Sequence, residues 1–205
     1  LSWPRGEMKE ALSKVDRYIV CSRVTLRPIF EFVSTTIHPN DALAVFALDD
    51  DYSFGILQSD VHWKWFEGRC STQNGRPRYT SETVFDSFPW PQEPTQAQIK
   101  KIAAEAVKLR SLRNKLKKAN DLSYRQLYRT LDLPGVNPLK DAHNRLGEAV
   151  REAYGMTKKD DPLSFLLKLN LELAKAESAG EKVIGPGVPP STKANYVTKD
   201  CLQMS

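Results

Sequence analysis

Arg69–Pro91, RCSTQNGRPRYTSETVFDSFPWP, is the least periodic and most aromatic stretch of this 205-residue chain. Residues before it read as strands and one amphipathic helix; nearly everything after it reads as helix. At its centre stands Gln73-Asn74-Gly75-Arg76-Pro77-Arg78-Tyr79-Thr80-Ser81. Asn-Gly followed by Pro marks a turn. That turn carries two guanidinium groups, two amides and three hydroxyls on a short exposed loop. These are the side-chain types that hydrogen-bond base edges and phosphates. Phe85 follows, and then Phe88 and Trp90 alternate with Pro89 and Pro91. Apolar rings on a proline-stiffened segment predict a docked, non-helical connector.

Toward the N-terminus, residues 6–15 predict a short helix with Met8, Ala11, Leu12 and Val15 on one face. Residues 18–21, 24–26 and 28–33 are β-rich, and His38-Pro39-Asn40-Asp41 is a turn by composition. Residues 42–48 form an apolar run bounded by turn signals, hence a buried strand. Asp49-Asp50-Asp51 reads as a helix-start or turn cluster, with Ser53 as the expected cap. From there Phe54, Leu57, Val61 and Trp65 recur at helical spacing, predicting one helix. Trp63 and Trp65 belong to its core face, His62 is structural, and Cys21 lies in an apolar run.

Toward the C-terminus, Thr95 is the expected N-cap of a long helix whose apolar stripe runs through Ile99, Ile102, Ala103, Ala106, Leu109, Leu112 (or Arg113) and Leu116. The other face carries Lys100, Lys101, Lys108, Arg110, Arg113, Lys115, Lys117 and Lys118 against a single acid, Glu105. Cations near a helix C-terminus offset the macrodipole, but this excess also suits a phosphate-facing surface. Residues 123–131 and 139–154 predict two further helices, the second stopped by Gly155. Pro162 opens a last helix so rich in leucine, from Leu163 to Leu173, that burial all round is expected. Gly185–Pro190 reads as a linker, and residues 191–205 as a tail without fixed structure.

Composition narrows the class. The hydrophobic fraction of 40% and charged fraction of 27% are ordinary for a soluble globular protein. No apolar run approaches the ~18–20 residues of a membrane span. The chain opens without Met or a secretory signal, so a piece of a longer polypeptide is expected. Three widely spaced cysteines, Cys21, Cys70 and Cys201, argue for a reducing compartment and against a disulfide framework. Net charge is +5 and concentrated in the second half: residues 1–92 carry 10 Lys and Arg against 12 Asp and Glu, residues 93–205 carry 20 against 13. A basic surface fits an anionic partner.

Catalytic motifs are not found. There is no Walker loop, no Gly-x-Ser-x-Gly elbow, no CxxC and no HxxxH, so no metal site is expected. Glu7 and Lys9 have the Glu-x-Lys spacing used by some metal nucleases, but no partner Asp is identifiable. The residues favour a binding module over an enzyme.

Tyr52-Ser53-Phe54-Gly55-Ile56-Leu57-Gln58-Ser59 with His62 and Trp65, then Gly68-Arg69-Cys70, Arg78-Tyr79-Thr80-Ser81 and Phe85-Asp86-Ser87-Phe88-Pro89-Trp90-Pro91, resemble the C-terminal part of large single-chain bacterial DNA methyltransferases. These are the MmeI-like type II restriction–modification proteins. Residues 17–33, with Cys21-Ser22-Arg23-Val24-Thr25, resemble the start of their target recognition domain, and LDLPGVNPLKDA (131–142) resembles the helical tail that follows. The resemblance is closest over residues 15–92, continues over 93–185 and is absent beyond.

The resemblance implies an α+β chain: a small mixed strand and helix recognition domain over residues 1–92, an all-α helical bundle over 93–184, and a flexible tail over 185–205. It implies the DNA-specificity portion of a bacterial, cytoplasmic adenine methyltransferase, non-catalytic here. S-adenosylmethionine and the Asn-Pro-Pro-Tyr type motif would belong to an upstream methyltransferase domain of the same polypeptide. Double-stranded DNA is the expected partner. Gln73, Asn74, Arg76, Arg78 and Arg23 are the implied base contacts. Ser22, Thr25, Tyr79, Lys100, Lys108, Arg110 and Arg113 are the implied phosphate contacts. Since Arg78-Tyr79-Thr80-Ser81 is shared by proteins with different targets, it suits fixing the loop or gripping phosphate rather than reading a base, and Gln73 and Asn74 suit reading. The alternative is a structural module that docks on the upstream domain and binds little DNA itself.

Overall fold

The structure, a computed structural model, describes residues 6–192 and 194–203, and only the backbone of Gln73. A short helix α1 (Gly6–Leu12) precedes three strands: β1 (Arg17–Ser22), β2 (Glu31–Ser34) and β3 (Leu43–Phe46). They form an antiparallel sheet in the order β2-β1-β3, with Ile19 opposite both Phe32 and Phe46. Central β1 is buried along almost its whole length. Ile19 and Cys21 face the main core, while Tyr18 and Val20 join Val33 in a smaller cluster covered by Leu12, Ile37 and Val45. Covering both faces explains why β1 reads as a continuous apolar run rather than an alternating one. Residues 24–26, expected as strand, contribute only an isolated bridge between Val24 and Arg78.

Two helices replace the single one expected after the acidic corner: α2 (Asp51–Gln58) and α3 (Asp60–Arg69). Ser59 adopts an extended conformation between them and accepts a hydrogen bond from His62 N at 3.2 Å, which caps α3. The break escapes the periodicity because α2 is buried on every side, whereas α3 buries only Val61, His62, Trp65 and Phe66. The cap of α2 is Asp50, not Ser53: its carboxylate accepts from Ser53 N and Ser53 Oγ, both at 2.7 Å.

β4 (Ser71–Gln73) and β5 (Arg76–Arg78) then form a hairpin, followed by a single π-helical turn over Ser81–Phe85. The connector behaves as its rings and prolines predict. Phe88 and Trp90 are buried, Trp65 Nε1 donates to Val84 O at 3.0 Å, and Tyr154 Oη donates to Pro89 O at 2.8 Å.

The helical half consists of α4 (Gln96–Ala119), α5 (Tyr124–Arg129), α6 (Pro138–Ala153) and α7 (Pro162–Ser178). Thr95 and Gln98 form a reciprocal capping box on α4. α4 packs against α2 and α6. At the α2 crossing a Cβ on Gly55 would stand 2.6 Å from Ile102 Cγ2, so only glycine admits this approach. One apolar core runs from Ile19 in the sheet to Leu146 in α6. The division near residue 92 therefore marks a change of element type inside a shared core.

Two further expectations fail. α7 buries only Pro162 and Leu166: it lies on the outside of the body, packed chiefly along α3, with Phe165 edge-on to Tyr154 and Asn170 Nδ2 donating to Ser87 O at 2.8 Å, while Leu167 and Leu171 are exposed. The C-terminal segment is a strap rather than a loose tail. Leu202 pairs in parallel with Val33, donating to Phe32 O at 2.8 Å and accepting from Ser34 N at 2.9 Å. Tyr196 O accepts from Asp51 N at 2.8 Å. Farther back, Ile184 is held by the Gln92 side chain through bonds of 2.8 and 3.0 Å. No helix among the described residues is long and apolar enough to cross a membrane.

Candidate nucleic-acid interface

The hairpin owes its shape to Asn74-Gly75, both in the left-handed region at φ +51° and +73°. Two successive positive φ values make the two-residue turn whose twist matches paired strands. Gln73 therefore faces Arg76, and Ser71 faces Arg78. Asn74 and Arg76 are exposed at the tip, and Arg78 is half-buried at the base, its Nε without a partner among the described residues. The side chain of Gln73 lies outside the described residues.

Tyr79 anchors this hairpin. Its ring is fully buried, stacked on Phe66 at 5.7 Å between centroids and edge-on to Phe30 and Phe46. Its hydroxyl shares a 2.9 Å hydrogen bond with His62 Nε2. Burial pushes the Tyr79 phenol well up and holds the His62 imidazole down at about 3, so His62 is neutral. The expectation that Tyr79 touches phosphate is thus overturned: it fixes the loop from within.

Residues 22–25 lie beside the hairpin. Tyr79 N donates to Arg23 O at 2.6 Å, and Thr25 N donates to Pro77 O at 3.1 Å. Two stretches fifty residues apart in the chain thereby become one strip. Ser22 is exposed on it. Arg23 is half-buried and gives its Nε to Leu43 O at 2.9 Å; among the described residues its terminal nitrogens have no partner. Thr25 Oγ1 is engaged locally, donating to Arg27 O at 2.7 Å. Ser22, Arg23, Val24, Asp41 and Arg78 line a shallow concavity. Asp41 escaped the sequence reading, since only the pairing of Arg23 N with Ala42 O at 2.8 Å brings it there.

Of the α4 cations, the two arginines are lost from the surface. Arg110 and Arg113 are 1% and 0% exposed, which excludes them from any surface contact with phosphate. Arg110 joins Arg17 around Asp51, at 2.6 and 3.0 Å, and reaches Asp200 of the strap at 2.7 Å. Arg113 donates to Phe30 O at 2.9 Å and pairs with Glu31 at 2.7 Å. Their register shows why. Ala106, Arg110 and Arg113 follow one another at i, i+4 and i+7, so both arginines continue the buried stripe. Lys108 is exposed but pairs with Glu105 at 2.7 Å, and Lys100 is exposed. Both sit on a helix packed against α2 and α6, whereas the hairpin leaves from α3. Among the described residues no group of His, Cys, Asp and Glu could hold a metal ion.

Residues 18–92 match the family described as MmeI, target recognition domain. No curated protein matches the chain. Among solved structures, the chain is similar to one described as the type IIL restriction-modification enzyme MmeI in complex with DNA, with 23% identity and a TM-score of 0.68. The match covers 85% of this chain and 22% of that one, so the chain spans about a fifth of its length. Residues 18–92 thus match the MmeI target recognition domain, and the fold built around them is shared with the corresponding part of that enzyme.

Proposed function

We propose that this chain is the sequence-reading portion of a DNA-methylating restriction–modification protein and that the hairpin strip is its reading surface. The carrying observation is the union of half-buried Arg23 and Arg78 with exposed Arg76 along one edge, held by backbone bonds rather than by flexible side chains. Preorganised guanidinium groups suit bidentate contact with guanine, and Asn74 suits adenine. Asp41 in the adjoining concavity suits the amino group of cytosine. Adenine methylation, S-adenosylmethionine and a bacterial cytoplasmic setting belong to the upstream part in this reading. This chain makes and breaks no bond.

Selection from a random duplex library tests the proposal. A preferred sequence should emerge, and Arg76→Ala or Arg78→Ala should relax the preference at one position by about 1–3 kcal/mol. Enrichment of no sequence at all would sink it. One observation favours a second reading, a module that docks on the upstream domain: α7 leaves Leu167 and Leu171 exposed. Weak duplex binding combined with tight binding to the upstream portion would select that reading.

A further inference from the structure

Eight large apolar side chains are exposed among the described residues, and four of them lie on two segments whose neighbouring residues line one cleft. Val24 and Leu26, 42% and 79% exposed, follow β1; Leu133 and Val136, 61% and 95% exposed, sit in the loop between α5 and α6. Arg27, from the first segment, and Leu131 and Asp132, from the second, line the same cleft together with Lys140. In Arg23-Val24-Thr25-Leu26-Arg27 two exposed apolar side chains stand between two flanking cations, and the stretch starts on the hairpin strip itself. Isolated exposed apolar residues are ordinary. Here they stand beside cations and continue the proposed reading surface.

The Leu133–Val136 loop is built to hold its tip still. Leu131 is buried at its root. Asn137 closes the base: its Nδ2 donates to Thr130 O at 2.8 Å, and its Oδ1 accepts from Leu139 N at 3.0 Å and Lys140 N at 3.2 Å. Gly135, at φ +103°, makes the turn between Pro134 and Val136. A tip fixed in this way loses little freedom on contact. Arg27 is steadied over the Trp63 ring at 3.9 Å. Of the acids on the cleft, Asp60 pairs with Arg151 at 2.7 Å and Asp132 acts on Arg27.

We infer that this rim is a second duplex contact, in which Leu133, Val136 and Leu26 form an apolar wedge against a deformable base step and Lys140 holds a flanking phosphate. The inference rests on the duplex-reading function proposed above. Apolar tips between base steps with cations on the adjoining backbone are a recurrent way to grip and bend a duplex. The helical half then contributes through this loop and the start of α6, rather than through the α4 lysines.

The test is duplex binding by the 205-residue chain, followed by fluorescence anisotropy across a salt series, with Leu133→Ser/Val136→Ser, Lys140→Ala and Arg76→Ala variants. The double variant should bind roughly tenfold more weakly, as expected for two lost apolar contacts, with an unchanged salt slope and melting temperature. Lys140→Ala should lower the slope by about 1. If the double variant binds like the parent while Arg76→Ala weakens binding, the wedge is overturned and the reading function stands. If the parent does not bind duplex, or Arg76→Ala changes nothing, the reading function fails and takes the wedge with it.

Discussion

Tyr79 and His62 show how a surface loop is held by groups that never reach the surface. The hydroxyl of Tyr79 and Nε2 of His62 satisfy one another inside an aromatic shell of Phe30, Phe66 and Phe88. Tyr79→Phe strands the imidazole and should cost about 1–3 kcal/mol in urea unfolding. It should also weaken duplex binding without removing any contact to DNA. A variant as stable as the parent would show that the bond is dispensable. His62 also gives stability a pH dependence. Burial holds its pKa down at about 3; His143 is likewise lowered to about 3 by burial and by the nearby Arg27 and Arg113. The unfolded chain binds these protons near the ordinary histidine value of 6.5, but the folded chain does not. Stability from each histidine is therefore present above that value and lost as pH falls below it, by up to about 1.4 kcal/mol per pH unit per histidine. Urea midpoints at pH 7 and 5.5 should differ in this sense, and His62→Gln/His143→Gln should flatten the difference. An unchanged slope in that variant would refute the assignment.

Among the elements, the hairpin and the strap are opposite cases. The Asn74-Gly75 turn was legible from the residue pair alone, because few residues other than glycine and asparagine accept positive φ. Gly75→Val should disorder the tip and lower duplex affinity while leaving the melting temperature within about 2 °C, since Asn74, Gly75 and Arg76 bury little. A large drop in melting temperature would mean the hairpin is part of the cooperative core. The strap carried no local signal: Gly, Pro and polar residues read as a tail. Its order comes from charge. Arg17 and Arg110 are buried with Asp51, and Asp200 supplies the second carboxylate. Burial raises the Asp200 carboxyl, but hydrogen bonds from Arg110 and Thr198 outweigh it and hold the pKa at about 2. Asp200→Asn leaves two guanidinium groups facing one acid. It should expose residues 194–203 to protease and increase amide exchange there, with a lower unfolding midpoint. Protection equal to that of the parent would show that strand pairing at Leu202 holds the strap unaided.

At the scale of the whole molecule, sheet and helices share one core, with α2 as the hinge of the packing: it meets α3, α4 and α6. Thermal unfolding is expected as a single transition, with no independent melting of residues 93–184. Gly55→Ala is expected to shift that transition down by the equivalent of about 1–3 kcal/mol, because the added methyl meets Ile102 at the α2–α4 crossing. Two resolved transitions in calorimetry would show that residues 93–184 unfold independently of the sheet.

Residue order sufficed for features governed by neighbours in the chain: the Asn-Gly turn, the Thr95 cap, the helical half, the proline-stiffened connector and the two guanidinium groups at the hairpin. These depend on backbone preference and on short periodicities, which are local. Three-dimensional packing settled the rest: which α4 cations vanish into the interior, that Tyr79 points inward, that residues 22–25 lie along β5 and that the C-terminal segment straps the sheet to α4. Burial and electroneutrality are properties of what is brought together from afar. Arg110 and Asp200 are ninety residues apart along the chain and 2.7 Å apart in space, and no pattern within either neighbourhood announces the other.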